Sequence, residues 1–221
     1  MITVENLTKS YGNNLIFENA NILIPENKIT LFIGANGSGK TTLLKCLLNL
    51  EGYKGKILYN RKHLNEIRDT VYVVYNDTPL YYNLSGYKNI ELLLNKKVSI
   101  QKIKEASYRF FKDEILKVKV KHYSHGQRKI LSLIIAILSN PRYLFADEIA
   151  NGLDYNTKLI LKHLIKKWSK KTTIIMMGHQ FEFYNDIIDE LFALKNHSII
   201  KINDFNRYGG DLSEIYKNFI Q

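Results

Sequence analysis

The chain has 221 residues, 45% of them hydrophobic and 24% charged, with a formal net charge of +11 and one cysteine. That length allows one sizeable core with a subdomain but not two large domains. The longest apolar run, 130–138, is about half the ~20 residues a membrane span needs, and a lone cysteine forms no internal disulfide, which fits a reducing compartment. The lysines are scattered rather than gathered, so the positive charge reads as a composition bias. A nucleic-acid role is not expected, although a basic body suits an anionic membrane face. The opening MITVENLTKS has no basic stretch followed by an apolar one, so no secretory leader is expected there.

In chain order, residues 2–7 and 15–24 read as strands around a turn at 11–14. Residues 25–28 form a turn into a strand at 29–33, and a helix follows at 41–50. Cys46, one turn past Thr42 on that helix, is expected to be a buried structural thiol. After a turn at 51–55, residues 56–59 read as a strand, giving an antiparallel layer beside a parallel core. Val71 to Tyr75 forms a β-branched and aromatic run expected to be a buried parallel strand, ending in a loop at 76–86.

From 87 to about 121 the character changes. Helical spacing in Tyr87-Ile90-Leu94 and Ile100-Ile103-Ser107-Phe110-Phe111 points to a helical insertion. Residues 126–139 form a long apolar helix stopped by Asn140-Pro141. A buried strand at 143–146 ends in Asp147-Glu148, 155–171 is an amphipathic helix, and a buried strand at 172–177 exits through Gly178-His179. Strand, helix, strand implies parallel pairing with right-handed crossovers. Strands at 190–194 and 198–202 come next, and Leu212, Ile215, Tyr216 and Phe219 mark a last amphipathic helix that packs onto the body.

The stretch GANGSGKTT (34–42) carries the chemistry. Gly34, Gly39, Lys40 and Thr41 satisfy G-x-x-x-x-G-K-S/T between a strand and a helix, the pattern of a phosphate cradle. Glycines let successive N–H groups converge on an anion, and the following helix adds the positive end of its dipole. The residues expected to wrap a nucleotide phosphate chain are Gly34, Asn36, Gly37, Ser38, Gly39, Lys40, Thr41 and Thr42. Lys40 would reach the β- and γ-phosphates and the Thr41 hydroxyl would bind Mg²⁺. In a parallel sheet the ligand lies at the carboxyl ends of the strands, which gathers Asn76, Asp147, Glu148 and His179 beside this loop. Asp147 would hold the Mg²⁺ shell and Glu148 would act as general base for water or as its orienter.

Together these residues resemble the nucleotide-binding subunits of ATP-binding cassette (ABC) transporters, along essentially the whole chain. YSHGQ (123–127) looks like the family's L-S-G-G-Q signature, and ADEIANGLD (146–154) like its Walker B and D-loop string. His179 matches the switch histidine, and Tyr11 falls where the family places an aromatic to stack on adenine. The resemblance implies an α/β phosphate-loop NTPase core with a mainly parallel sheet, an N-terminal antiparallel β layer and an inserted helical subdomain. The core would comprise 1–76 and 123–221, and 77–122 the insertion. It further implies ATP hydrolysis with Mg²⁺ and a head-to-tail homodimer, or a heterodimer with another such ATPase. An integral membrane permease would be the partner, on the cytoplasmic face of the membrane. Ser124, Gly126 and Gln127 would meet the γ-phosphate of the opposite subunit, and Ser124 can equally cap its helix with Gln127.

Three departures from the family pattern stand out: Tyr123 for Leu, His125 for the first signature Gly, and Asn76 for Gln. Asn76 keeps the amide with one methylene less reach, and it reads either as a metal ligand or as an ordinary loop residue. Tyr81, Tyr82 and Leu84 either dock a membrane partner or pack inward. The compact body and the Tyr-Ser start of the signature resemble small exporter subunits. The alternative is a soluble or non-catalytic nucleotide-binding module acting in an assembly or nucleic-acid process.

Overall fold

The structure is a computed structural model. It describes residues 1–77, 79–95, 98–203, 205 and 211–220. Thr78 of the 76–86 loop and residues 96–97 of the expected insertion lie outside the described residues.

Strands β1 (Ile2–Tyr11), β2 (Asn14–Ile24) and β4 (Lys54–Tyr59) form a three-stranded antiparallel sheet in the order β2-β1-β4. A six-stranded sheet has the order β5-β6-β7-β3-β8-β9. Its members are β3 (Ile29–Gly34), β5 (Val71–Val74), β6 (Tyr143–Asp147), β7 (Thr173–Met177), β8 (Glu190–Lys195) and β9 (Ser198–Ile202). All neighbours in it are parallel except the β8-β9 hairpin. The helices are α1 (Lys40–Leu47), α2 (Gly86–Leu93), α3 (Ile100–Ser107), α4 (Asp113–Lys117), α5 (His125–Ser139), α6 (Tyr155–Trp168), α7 (Phe181–Tyr184) and α8 (Leu212–Phe219).

The large sheet is apolar on both faces because each has its own core to cover, and strand alternation divides the residues between them. Leu31, Ile33, Val74, Leu144, Ala146, Ile174 and Met176 face one core, with the apolar stripe of α5, Leu161 and Ile165 of α6, and Leu212 and Ile215 of α8. Phe32, Tyr143, Phe145, Ile175, Met177 and Phe192 face the other, with α1 and the inner side of the antiparallel sheet. Cys46 is buried in this second core, and burial pushes its thiol up to about 11, so it is an inert packing residue.

Several boundaries differ from the sequence reading for identifiable reasons. β1 runs on to Tyr11 rather than stopping at Leu7. Asn6 and Asn19 adopt left-handed backbone and the β1-β2 register shifts between Val4 and Leu7, which breaks the alternation that periodicity relies on. α6 ends at Trp168, short of 171. Short 3₁₀ turns at Leu64–Glu66 and Arg68–Thr70, and the four-residue α7, are too brief to leave a period. No described helix is long and apolar enough to cross a membrane.

The parallel register aligns one row across the sheet. Val74 pairs with Ala146, Ala146 with Met176, Met176 with Leu31, and Leu31 with Leu191. The next residues of each strand therefore emerge along one edge. Phe32 of the central strand stacks on Phe192 with ring centroids 5.1 Å apart, fully out of solvent. Phe32→Ala is expected to lower unfolding free energy by about 3–5 kcal/mol in denaturant titrations; a loss under about 1 kcal/mol would mean this core does not hold the strand.

Candidate active site

The edge row delivers four segments: the 34–39 loop from β3, Tyr75-Asn76 from β5, Asp147-Glu148 from β6 and Gly178-His179 from β7. Gly39 caps α1 with a φ of +101°, and a side chain there would collide with Ile16 and Phe17. That turn leaves the first N–H groups of α1 aimed outward, the arrangement that binds anions. Asn36 and Gly37 are exposed on the loop, Thr41 is exposed and Thr42 half-buried, while the Ser38 hydroxyl is buried without a partner among the described residues. Lys40 Nζ donates to the carbonyls of Gly34 and Ala35 at 2.7 and 3.0 Å. Burial lowers its pKa, while the charges of Glu148 and Asp147 pull it back up.

Asp147 is the last residue of β6, and its carboxyl is pushed up, first by burial and then by the Glu148 charge. Glu148 leaves the strand in the left-handed region, φ +50°, an uncommon conformation for a glutamate. Its N–H donates to Met177 O at 2.9 Å and its carbonyl accepts from Asn151 N at 3.1 Å, so the strained turn is held from both sides. The turn aims the carboxylate at His179, whose Nδ1 lies 2.7 Å from Glu148 Oε1. Glu148 Oε2 is buried with no partner among the described residues. A buried carboxylate oxygen without a protein partner is open to accept a hydrogen bond.

The donor set also bears on a metal. Among the described residues no cluster of three His, Cys, Asp or Glu side chains could cage an ion. Mg²⁺ does not need one, since it keeps water and phosphate oxygens and takes one or two protein ligands. Thr41, Asp147 and Asn76 fit that pattern, and the Asn76 Oδ1 is buried without a partner among the described residues, as an oxygen reserved for a ligand would be.

Other expected residues are not bonded to this cluster. Among the described residues no hydrogen bond or ion pair joins Ser124, Gly126 or Gln127 to Lys40, Asp147, Glu148 or His179. They begin α5 instead: Gln127 N donates to Ser124 Oγ at 3.1 Å and Ser124 N to Gln127 Oε1 at 2.9 Å, a complete capping box. Because Ser124 Oγ serves the cap as an acceptor, its hydroxyl proton stays available. His125 packs its ring against Gly152, at φ +74°, where a side chain would overlap it. Tyr11 stands at the end of β1. Tyr81 and Tyr82 are exposed rather than packed inward, with Leu84 half-buried.

Two features escape the sequence reading. Lys129 is 1% exposed and donates to Tyr75 O at 2.8 Å and Asn76 O at 2.9 Å, tying α5 to the backbone of Asn76. Burial lowers its pKa to about 8 against the pull of Asp147, Asp77 and Glu148. Beside Arg128 it reads as a solvent-facing charge, and only its place in an otherwise apolar helix signals otherwise. The second is a relay in which Lys158 Nζ donates to Gln180 Oε1 at 2.8 Å and Gln180 Nε2 to Asn151 Oδ1 at 2.5 Å. It ties the turn after Glu148 to the residue after His179.

A sequence profile described as "ABC transporter" matches residues 17–151. The chain is 30% identical over 228 residues to the lantibiotic transport ATP-binding protein SrtF of Streptococcus pyogenes, covering 100% of this chain and 97% of that one. It is 28% identical over 220 residues to the methionine import ATP-binding protein MetN of Clostridioides difficile, covering 92% of this chain and 68% of that one. A solved ATP-binding subunit of an ABC transporter superposes with a TM-score of 0.86 at 20% identity, over 99% of this chain and 98% of that one. The structure of cbiO1 from Clostridium perfringens, part of the ABC transporter complex cbiONQ, gives 0.79 at 22%, over 98% and 93%. At those identities the structural likeness speaks for the fold alone. With a matched segment spanning more than half of its length, the chain belongs to the ABC transporter family, as a nucleotide-binding subunit.

Proposed function

We propose that this subunit binds and hydrolyses ATP to drive a separate integral membrane permease, from a peripheral position on the cytoplasmic face of the membrane. The observation that carries the hydrolytic reading is Glu148, its Oε1 taken by His179 and its Oε2 buried without a partner among the described residues. Each part of the row has a task. Lys40 and the loop 34–42 hold the β- and γ-phosphates. Glu148 Oε2 accepts a proton from a water as its oxygen bonds to the γ-phosphorus and the bond from phosphorus to the departing ADP oxygen breaks. His179 steadies the carboxylate through its Nδ1–H, and it offers a second donor to the γ-phosphate when the ring carries both protons. Bound Mg²⁺ neutralises charge on the phosphates, and Thr41, Asp147 and Asn76 are the side chains that would hold it.

The half of the site that this row lacks is a group facing the γ-phosphate from the other side. The N-terminus of α5, with the Ser124 hydroxyl, the Gly126 N–H and Gln127, is equipped for it, and among the described residues no hydrogen bond or ion pair joins it to Lys40, Asp147, Glu148 or His179 within one chain. A head-to-tail pairing with a second copy, or with a related ATPase, supplies it. The insertion 77–122, with Tyr81 and Tyr82 exposed, then faces the permease. A net charge of +11 suits the anionic cytoplasmic leaflet. Full-length similarity to a lantibiotic transport ATP-binding protein supports a role in transport.

Glu148→Gln removes the proton acceptor and keeps the shape. Its steady-state phosphate release is expected to fall on the order of a hundredfold or more with ATP affinity retained; turnover near wild type would remove Glu148 from the role of base. His179→Ala leaves that base without its partner and is expected to cut turnover by about tenfold or more while ATP still protects the protein against heat. Unchanged turnover would reduce the 2.7 Å pair to packing.

A further inference from the structure

Tyr11 is 41% exposed, yet one face of its ring is already occupied: Lys9 Nζ lies 4.3 Å from the ring centroid. The two residues lie two positions apart on β1, across a register shift between Lys9 and Ser10, and it is the contact itself that places them together. Lys9 itself is only 8% exposed. Its ammonium pairs with Glu51 at 3.3 Å and donates to Gly52 O at 2.8 Å. Glu51 is gripped a second time by Lys45, at 3.2 Å, from the last turn of α1. Two contacts on the cation, one of them to a carboxylate that Lys45 also holds, leave it little freedom to swing away from the ring.

Burying a lysine is unfavourable unless its charge is paired and its donors are used. Glu51 and Gly52 meet that need without any aromatic group. Placing the same desolvated cation against Tyr11 does something further, because a ring clamped on one face keeps a single plane and offers its other face outward. A preorganised plane costs less ordering when a flat ligand stacks on it. The clamp also runs through Glu51 and Lys45 into α1, whose opposite end carries the phosphate loop.

We propose that Lys9 is a positioning residue for base recognition: it fixes the Tyr11 ring from one face so that the other stacks on the base of the bound nucleotide. This rests on the reading that the chain binds ATP with Tyr11 against the base. The role is separable from phosphate binding, because inorganic tripolyphosphate carries the phosphates without a base.

Calorimetric titration of the full chain with Mg-ATP and with Mg-tripolyphosphate tests it, using Lys9→Met, Lys9→Arg, Tyr11→Ala and the Lys9→Met/Tyr11→Ala pair. Lys9→Met is expected to weaken ATP binding by about tenfold, within the span of base stacking on aromatics, and to leave tripolyphosphate binding unchanged. Lys9→Arg keeps the cation and recovers most of the loss. Tyr11→Ala shows the same loss as Lys9→Met, and the pair loses no more than either alone. Equal weakening toward both ligands would overturn the proposal, since that is what a purely structural lysine does. An unaffected Lys9→Met beside a weakened Tyr11→Ala would overturn it while leaving the base reading intact. An unaffected Tyr11→Ala would remove the base reading and the proposal together, with tripolyphosphate binding still reporting the phosphate loop.

Discussion

The site depends on one constraint, the parallel register that sets β5, β6, β7 and β3 level at their carboxyl ends. A sheet covered on both faces has little room along its length for polar side chains, Thr30 and Thr173 being buried exceptions, so chemistry collects where the strands stop. The terminal pairs Val74–Ala146 and Phe32–Met177 are apolar, Asp147 adds one polar pair with Met177, and within two positions of these stand Asn76, Glu148, His179 and Gly34. Slipping any one strand by a residue would turn its apolar set toward the wrong core and carry its polar end out of the row. The two cores and the site are thus specified together.

Within the row, charges of both signs meet beside two half-buried carboxylates. Two acids stand at the end of one strand, and burial with mutual repulsion pushes Asp147 up. Lys40 and the buried Lys129 oppose them from the phosphate-loop side and from α5. Backbone carries much of the work: Lys40 and Lys129 both rest on carbonyls, and the left-handed turn at Glu148 is pinned by Met177 and Asn151. Strain kept at one residue in this way marks a position whose geometry matters more than its stability.

How legible all this was in the sequence depended on range. The phosphate loop, the acidic pair and the buried strands β3, β6 and β7 are legible because each is a local pattern, a fixed spacing or an unbroken apolar run, whereas β5, expected to be buried, is an edge strand with only Val74 fully buried. The Ser124–Gln127 cap is legible for the same reason. Lys129 is not, because a lysine next to an arginine looks like surface until the partner carbonyls, 54 and 53 positions away, are known. Lys9 hides behind the bulged register of β1, where alternation no longer tells inside from outside. The Asn151-Gln180-Lys158 relay joins three elements through side-chain amides, which leave no periodic trace. Tyr81 and Tyr82 could not be placed from composition, since a loop aromatic packs inward or outward according to what lies beneath it. Here Leu80 takes the buried place and Asn89 pins the backbone of Tyr81.

The central claim is that this row of strand ends is a working hydrolytic centre and not a nucleotide-holding module. Phosphate release by the purified chain with Mg-ATP, monitored beyond the amount of protein present, tests it most directly. A working centre predicts sustained release that exceeds one phosphate per chain many times over. ATP that binds and is recovered intact, with no phosphate accumulating, would contradict it.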